Sequence, residues 1–209
     1  MKVRTEARRE AIINEATDLF CELGFERTSM SEIAKRLGGS KTTLYGYFAS
    51  KEVLFEAVIQ QIGDSHLDSA LKDLLDSEQF QIEDALFRFG MAMTILINDP
   101  KALAVYRMVI AESGRSEIGK KFYKIGPQRV IDALNEFITH ALEKGILRGC
   151  EPSVAARHFL FLIKSESEHH LFECDPPDLK EEEIRDMVIR ATDVFMAAYM
   201  SSSYTPIFK

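Results

Sequence analysis

The chain has 209 residues, 46% apolar and 28% charged, enough for one large or two small domains with real cores and too apolar for a disordered chain. No apolar run approaches the roughly 20 residues of a membrane span, and nothing near Met1 has the pattern of a signal peptide, so no membrane partner is expected. The net charge of −7 argues at first against nucleic acid, but residues 1–51 hold nine Lys/Arg against seven Asp/Glu, while residues 52–209 hold 17 against 26. A slightly basic head on an acidic body points the head toward an anion. Cys21, Cys150 and Cys174 cannot all pair within one chain and none lies in a C-x-x-C, so a reducing cytoplasm is the simplest setting.

In chain order, nearly every segment reads as helix. Ile12, Ala16, Leu19, Phe20 and Leu23 form one apolar stripe, which Gly24 ends. Ser29-Met30-Ser31-Glu32 fits a capping box opening a short helix that buries Ile33, Ala34 and Leu37 and stops at Gly38-Gly39. Ser40 caps the next helix, and Ser50 a fourth running through Val53, Leu54, Ala57, Val58 and Ile62. Residues 82–97 are apolar on nearly all faces and predict a central, buried helix, broken at Asp99-Pro100. Pro127 either starts a helix or kinks one. Glu151-Pro152-Ser153 opens another, and after Pro176-Pro177 a last helix carries Ile184, Met187, Val188, Ala191, Phe195 and Ala198. No strand alternation or internal repeat stands out. The prediction is an all-α fold of about nine helices.

The helix after Ser40, "KTTLYGYF", is the unusual one. At about 100° per residue, Leu44 and Phe48 share an inward face, Thr43 and Tyr47 line one flank and Tyr45 the other. Thr42 and Gly46 point outward, and Lys41 lies at the N-terminal turn. Such a helix suits a major groove: flanking hydroxyls reach phosphates, Lys41 can donate to guanine O6/N7, and the Thr42 methyl can touch thymine. Gly46 allows close approach of backbone to base edge, and Lys51 is placed to neutralise a phosphate. The preceding helix and Gly turn complete a helix-turn-helix. The alternative is an amphipathic surface helix whose tyrosines only cover the core.

The stretch Thr28 to Phe55, "TSMSEIAKRLGGSKTTLYGYFASKEVLF", resembles the DNA-binding head of the TetR family of bacterial transcriptional regulators, whose T-L-Y-x-Y/H-F-x-x-K-E/D-x-L core is distinctive. The stretch "ALEKGILRGCEPSVAARHFLFL" is similar, more loosely, to the AcrR-like branch. The resemblance implies a helix-turn-helix head over 1–51, a ligand-binding and dimerisation domain over 52–203, and a tail over 204–209. It also implies a homodimer joined by the last two helices, roughly 152–173 and 179–200, gripping palindromic double-stranded operator DNA. Family contacts fall at Thr28 or Ser29, Lys41, Thr42, Thr43, Tyr45, Tyr47 and Lys51; with the cap Ser40 and bare Gly46 these are the candidate DNA-binding residues. Two departures stand out. Gly39 replaces a small apolar residue that packs into the turn, so a looser turn is expected, and Gly46 removes one potential base reader. Lys2, Arg4, Arg8 and Arg9 either add backbone or minor-groove contacts or form a solvated helix face.

Family members enclose a small-molecule effector between central helices. Candidate lining residues are Phe87, Met91, Tyr106, Phe122, Phe137, His158 and Phe161, each more readily explained as core, and their Met and Phe richness suits an apolar effector. "SESEHHLFECD" gathers acids, His169, His170 and Cys174. Glu166-x-x-His169 has di-iron spacing, but no second E-x-x-H exists, so that chemistry is rejected. No H-E-x-x-H, G-x-S-x-G, P-loop or G-x-G-x-x-G occurs, and neither enzyme activity, cofactor nor metal is expected. The leading expectation is a ligand-responsive repressor. The alternatives are a DNA-binding regulator answering a partner protein or no effector, and a helical metal-binding or redox-sensing protein.

Overall fold

Every regular segment of the chain, a computed structural model describing residues 5–63, 67–75 and 82–201, is helical. The elements are α1 (Glu6–Leu23), α2 (Met30–Arg36), α3 (Lys41–Tyr47), α4 (Lys51–Gly63), α5 (Leu67–Leu75), α6 (Ile82–Asn98), α7 (Pro100–Ser113), α8 (Ile118–Ile125), α9 (Pro127–Glu143), α10 (Pro152–Lys164) and α11 (Glu181–Tyr199). A 3-10 turn, Glu168–Phe172, precedes α11. The all-α expectation holds, with eleven α-helices among the described residues rather than about nine. Two of them, α5 and α8, are about two turns each, too short for their apolar spacing to stand out from the flanking sequence. The expected 204–209 tail lies outside the described residues.

Prolines set three of the starts. Pro100, Pro127 and Pro152 open α7, α9 and α10, where the missing N–H has no partner to lose. Pro127 therefore starts a helix rather than kinking one.

The described residues form two compact units. The first, within Met1–Asp64 and Pro100–Pro127, packs α1, α2, α3 and α4 with α7 and α8. Its centre is the trio Phe20, Phe25 and Phe55, with ring centroids 5.3–5.8 Å apart, in the range where tilted and edge-on aromatic pairs attract. Leu44 and Phe48 join this cluster from α3 and the residue after it, with Ile12, Leu19, Ile33, Leu54 and Val58. Cys21 lies beside the cluster, half-buried, and burial pushes its thiol up to about 11, so it stays protonated and structural near neutrality.

The second unit, within Ser65–Asp99 and Gln128–Lys209, is built around α6, which packs against α5, α10 and α11. Phe89, Phe159 and Phe195 stack in series through its core. At Gly90 the approach of α11 is so close that a Cβ would meet Val188 Cγ1 at 2.7 Å. Glycine is there for room, since the backbone itself is ordinary helix.

The helix expected over 152–173 ends at Lys164. Ser165 and Ser167 bond back three residues rather than four, winding into the 3-10 turn. A distant side chain holds that turn: Asn98 Nδ2 donates to Ser167 Oγ at 3.1 Å, and Asn98 Oδ1 lies 3.0 Å from His170 Nδ1. Among the described residues no helix is long and apolar enough to cross a membrane.

Candidate nucleic-acid interface

The α2–α3 pair is defined by its caps. Ser29 Oγ accepts from Glu32 N at 3.3 Å while Glu32 Oε2 accepts from Ser29 N at 2.8 Å, a complete capping box. That exchange, led by the Ser29 hydroxyl, lowers the Glu32 pKa. At the far end Gly38 takes a φ of 63°, its N–H reaches Lys35 O, and Gly39 N–H reaches Ala34 O at 3.0 Å. This is a Schellman stop, and it needs glycine at 38 rather than 39. Ser40 Oγ then accepts from Thr43 N at 3.1 Å and opens α3. The turn is tied, not loose as Gly39 led us to expect.

Leu44 and Phe48 are 2% and 3% exposed, mooring α3 to the first unit's core. Lys41, Thr42, Thr43 and Tyr45 are exposed, and Gly46 and Tyr47 are partly so. The exposed face thus carries a cation, two threonines and a phenol, with Thr43 Oγ1 2.9 Å from Ser40 Oγ. Tyr47 Oη accepts from Thr5 N at 3.1 Å, which leaves its own proton free to donate elsewhere.

Two expected contact residues also have partners within the protein. Thr28 is 1% exposed, and its hydroxyl faces Leu19 O at 3.1 Å and Gly24 O at 2.8 Å, closing the α1–α2 connection rather than facing a ligand. Lys51 Nζ donates to Phe25 O at 2.7 Å and lies 4.2 Å from the Phe25 ring centroid, so its ammonium clamps the same loop from the other side. Both acceptors are backbone carbonyls that a burial argument alone could not locate.

Sequence reasoning left Arg8 and Arg9 undecided and missed Arg36. Arg9 stacks its guanidinium over Phe48 at 5.6 Å. Arg36 grips the Glu22 carboxylate with two bonds of 2.6 and 2.7 Å, tying α2 to α1. The hydrogen bond from Arg36 is the main cause of the lowered Glu22 pKa. The only sequence signal was opposite charge on facing helices, visible once the helix-turn-helix is assumed.

The effector candidates are not gathered around one cavity. Tyr106 and Phe122 stack at 5.7 Å in the first unit. Phe137 is buried in the second unit's core, and Phe87 lies beneath the Arg185 guanidinium at 5.7 Å. His158 is exposed and hydrogen-bonds Tyr199 Oη. Phe161 is 69% exposed, which corrects its reading as a lining residue. It lies about 200° around α10 from buried Phe159. Met91 alone lines the open cleft of about 430 Å³ between α5 and α6, with Leu74, Phe89, Ile95, Asp73 and Arg88.

The histidine-rich segment is also dispersed. Glu166 is held by Arg190 at 2.6 and 2.8 Å, His170 is buried against Asn98, and His169 is exposed. No group of three His, Cys, Asp or Glu side chains converges among the described residues.

Comparison with known proteins bears on the whole chain. Residues 12–58 match the family described as bacterial regulatory proteins, tetR family, and residues 84–201 match the AefR-like transcriptional repressor C-terminal domain. The chain belongs to the TetR family. It is therefore a transcriptional regulator with a DNA-binding head, and not an enzyme. RutR of Escherichia coli K12, an HTH-type transcriptional regulator, is 47% identical over 58 residues, which is 28% of this chain and 27% of RutR. UidR of the same organism is 41% identical over 61 residues, 29% of this chain and 31% of UidR. The match thus spans under a third of these curated relatives. Among solved structures, a TetR-family regulator from Mesorhizobium loti MAFF303099 has a TM-score of 0.76 at 25% identity, covering 96% of this chain and all of that one. The flavonoid-responsive regulator FrrA has a TM-score of 0.73 at 31% identity, covering 95% and 100%.

Proposed function

We propose that this TetR-family chain is an effector-responsive repressor that binds a palindromic operator as a homodimer. Residues 1–51 act as its DNA-binding part and residues 52–203 as its effector-binding and dimerisation part. The observation that carries the DNA half is the outward face of α3: Lys41, Thr42, Thr43 and Tyr45 exposed over a buried Leu44. Lys41 donates to a guanine edge, Thr42 and Gly46 lie against the bases, and Thr43, Tyr45 and Tyr47 hold phosphates on either side. Ser29 and Ser40 stand exposed at the starts of α2 and α3, within reach of the same backbones.

Dimerisation is supported by apolar side chains left outward on the last two helices. Val154 and Phe161 lie two turns apart on α10 at 42% and 69% exposure, and Val194 on α11 at 53%. Exposed apolar groups on adjacent helices mark a surface that another protein covers. A two-fold partner presenting the same helices matches them with themselves. It also sets the two α3 helices against grooves about 34 Å apart.

An apolar, aromatic effector is supported by the α5–α6 cleft, where Leu74, Phe89, Met91 and Ile95 supply the walls and Asp73 and Arg88 the polar rim. The described responsiveness of FrrA to flavonoids favours a flat phenolic molecule of that kind. Such an effector releases DNA only by preferring the spacing of the heads that misses the grooves. Nuclease footprinting upstream of the gene tests the reading. Two protected half-sites that vanish with effector are expected; equal affinity for promoter and unrelated DNA would sink it.

A further inference from the structure

The start of α1 bridges the helix-turn-helix, touching the last residue of α3 and the residue that follows α2. At one end Thr5 N donates to Tyr47 Oη at 3.1 Å, and Thr5 Oγ1 accepts from Arg8 N to cap the helix. At the other end Arg8 Nη2 donates to Leu37 O at 3.3 Å, the carbonyl that closes α2. A Cβ built on Gly39 would lie 3.0 Å from that same Nη2. Gly39 has no positive φ that would demand glycine, unlike Gly38 beside it. What Gly39 supplies is room, and the guanidinium occupies it.

We propose that Arg8 is a phosphate ligand for operator DNA, seated over the α2–α3 turn by the missing side chain at position 39. This rests on the DNA-binding reading above and adds to it a contact from outside the helix-turn-helix. A guanidinium carries five N–H donors in a planar fork suited to two phosphate oxygens. Among the described residues its side chain makes one hydrogen bond, to Leu37 O. The nearby carboxylate Glu6 pairs with Arg9 instead. Leu37 and Gly39, which the guanidinium touches, lead directly into Ser40, Lys41, Thr42 and Thr43, all exposed, so the cation stands at the turn that opens α3.

A tie to Leu37 alone and a phosphate contact differ in their salt dependence. Each phosphate neutralised contributes about −0.9 to the slope of log K against log salt concentration, whereas an internal hydrogen bond contributes nothing. The test uses the full chain, the operator duplex recovered by footprinting and an unrelated duplex of equal length, titrated across a range of salt. Arg8→Gln keeps an amide donor for Leu37 but removes the charge. It should make the slope shallower by about 0.9 for each head and weaken both duplexes by the same factor. Arg8→Lys should keep the slope. Gly39→Ala, which displaces the guanidinium, should shift the slope as Arg8→Gln does. An unchanged slope for Arg8→Gln, even with a lower melting temperature, overturns the proposal and leaves Arg8 as a structural tie. A wild-type chain with no preference for the operator would instead overturn the DNA-binding reading, and this contact with it.

Discussion

Helices α3 and α10 both bury one side and turn the other outward, yet what they leave uncovered is opposite. α3 leaves a lysine, two threonines and a tyrosine, groups that water hydrates at little cost while they await a better acceptor. α10 leaves Val154 and Phe161, which water disfavours until something apolar covers them. Their inner faces are alike, Leu44 on one, Ala155, Ala156, Phe159 and Ile163 on the other. The lesson is that burial identifies what holds a helix in place, whereas the chemistry of the uncovered side identifies what it is for.

The strongest way to break that contrast is Phe161→Glu. On the proposed two-fold interface two copies of the ring are lost, each contributing about 1.5–3 kcal/mol of burial, so dimerisation should weaken by more than roughly 100-fold. Sedimentation across a dilution series checks it, and an undiminished dimer would mean that α10 faces solvent. Leu44→Ala probes the mooring of α3. A cavity beneath that helix should cost about 2–5 kcal/mol in denaturant unfolding, and a much smaller loss would mean that α3 is held mainly by its caps. Lys41→Ala sharpens the polar face itself, relaxing preference at one operator position by roughly 1–3 kcal/mol. Tyr47→Ala should weaken every sequence alike, and matching profiles for the two variants would erase the division between centre and flank.

The smallest expected effect is electrostatic and comes from the ion pairs that staple each unit. Arg36 beside Glu22 and Arg190 beside Glu166 hold those carboxyls below their ordinary value of 4.5. A lowered folded pKa means that the stabilisation is complete above the ordinary value and is lost as pH falls through the folded one. Melting temperature should therefore decline on acidification below 4.5, and Arg36→Gln should flatten part of that decline. Both pairs are largely solvated, so the change will be modest.

What could be read from the sequence was whatever is decided within four residues. The Ser29–Glu32 box, the Ser40 cap, the stop at Gly38-Gly39, the break at Asp99-Pro100 and the start at Pro152 are local chemistry and stand where the spacing put them, while Pro127, open between a start and a kink, starts a helix. The partners of Thr28 and Lys51 were not legible, since Thr28 turns inward to Leu19 O in α1 and Gly24 O, and Lys51 reaches Phe25 O across 26 residues. The early end of α10 has the same origin, since Asn98 reaches Ser167 across 69 residues. Aromatic residues at helical spacing announced a core but not which partners each ring would meet. Phe137 and Phe161, both candidates for core or for an effector wall, consequently lie in core and at surface.

The contact at Gly90 has a mechanical consequence. With Val188 Cγ1 only 2.7 Å from where a Cβ would stand, the Val188 side chain of α11 packs directly on the α6 backbone there. On the proposal that an effector enters the α5–α6 cleft, a shift of α6 would pass directly to α11, which bears Val194. Gly90→Ala would insert a permanent shim at that joint, fixing the two rods apart whether or not the effector is present.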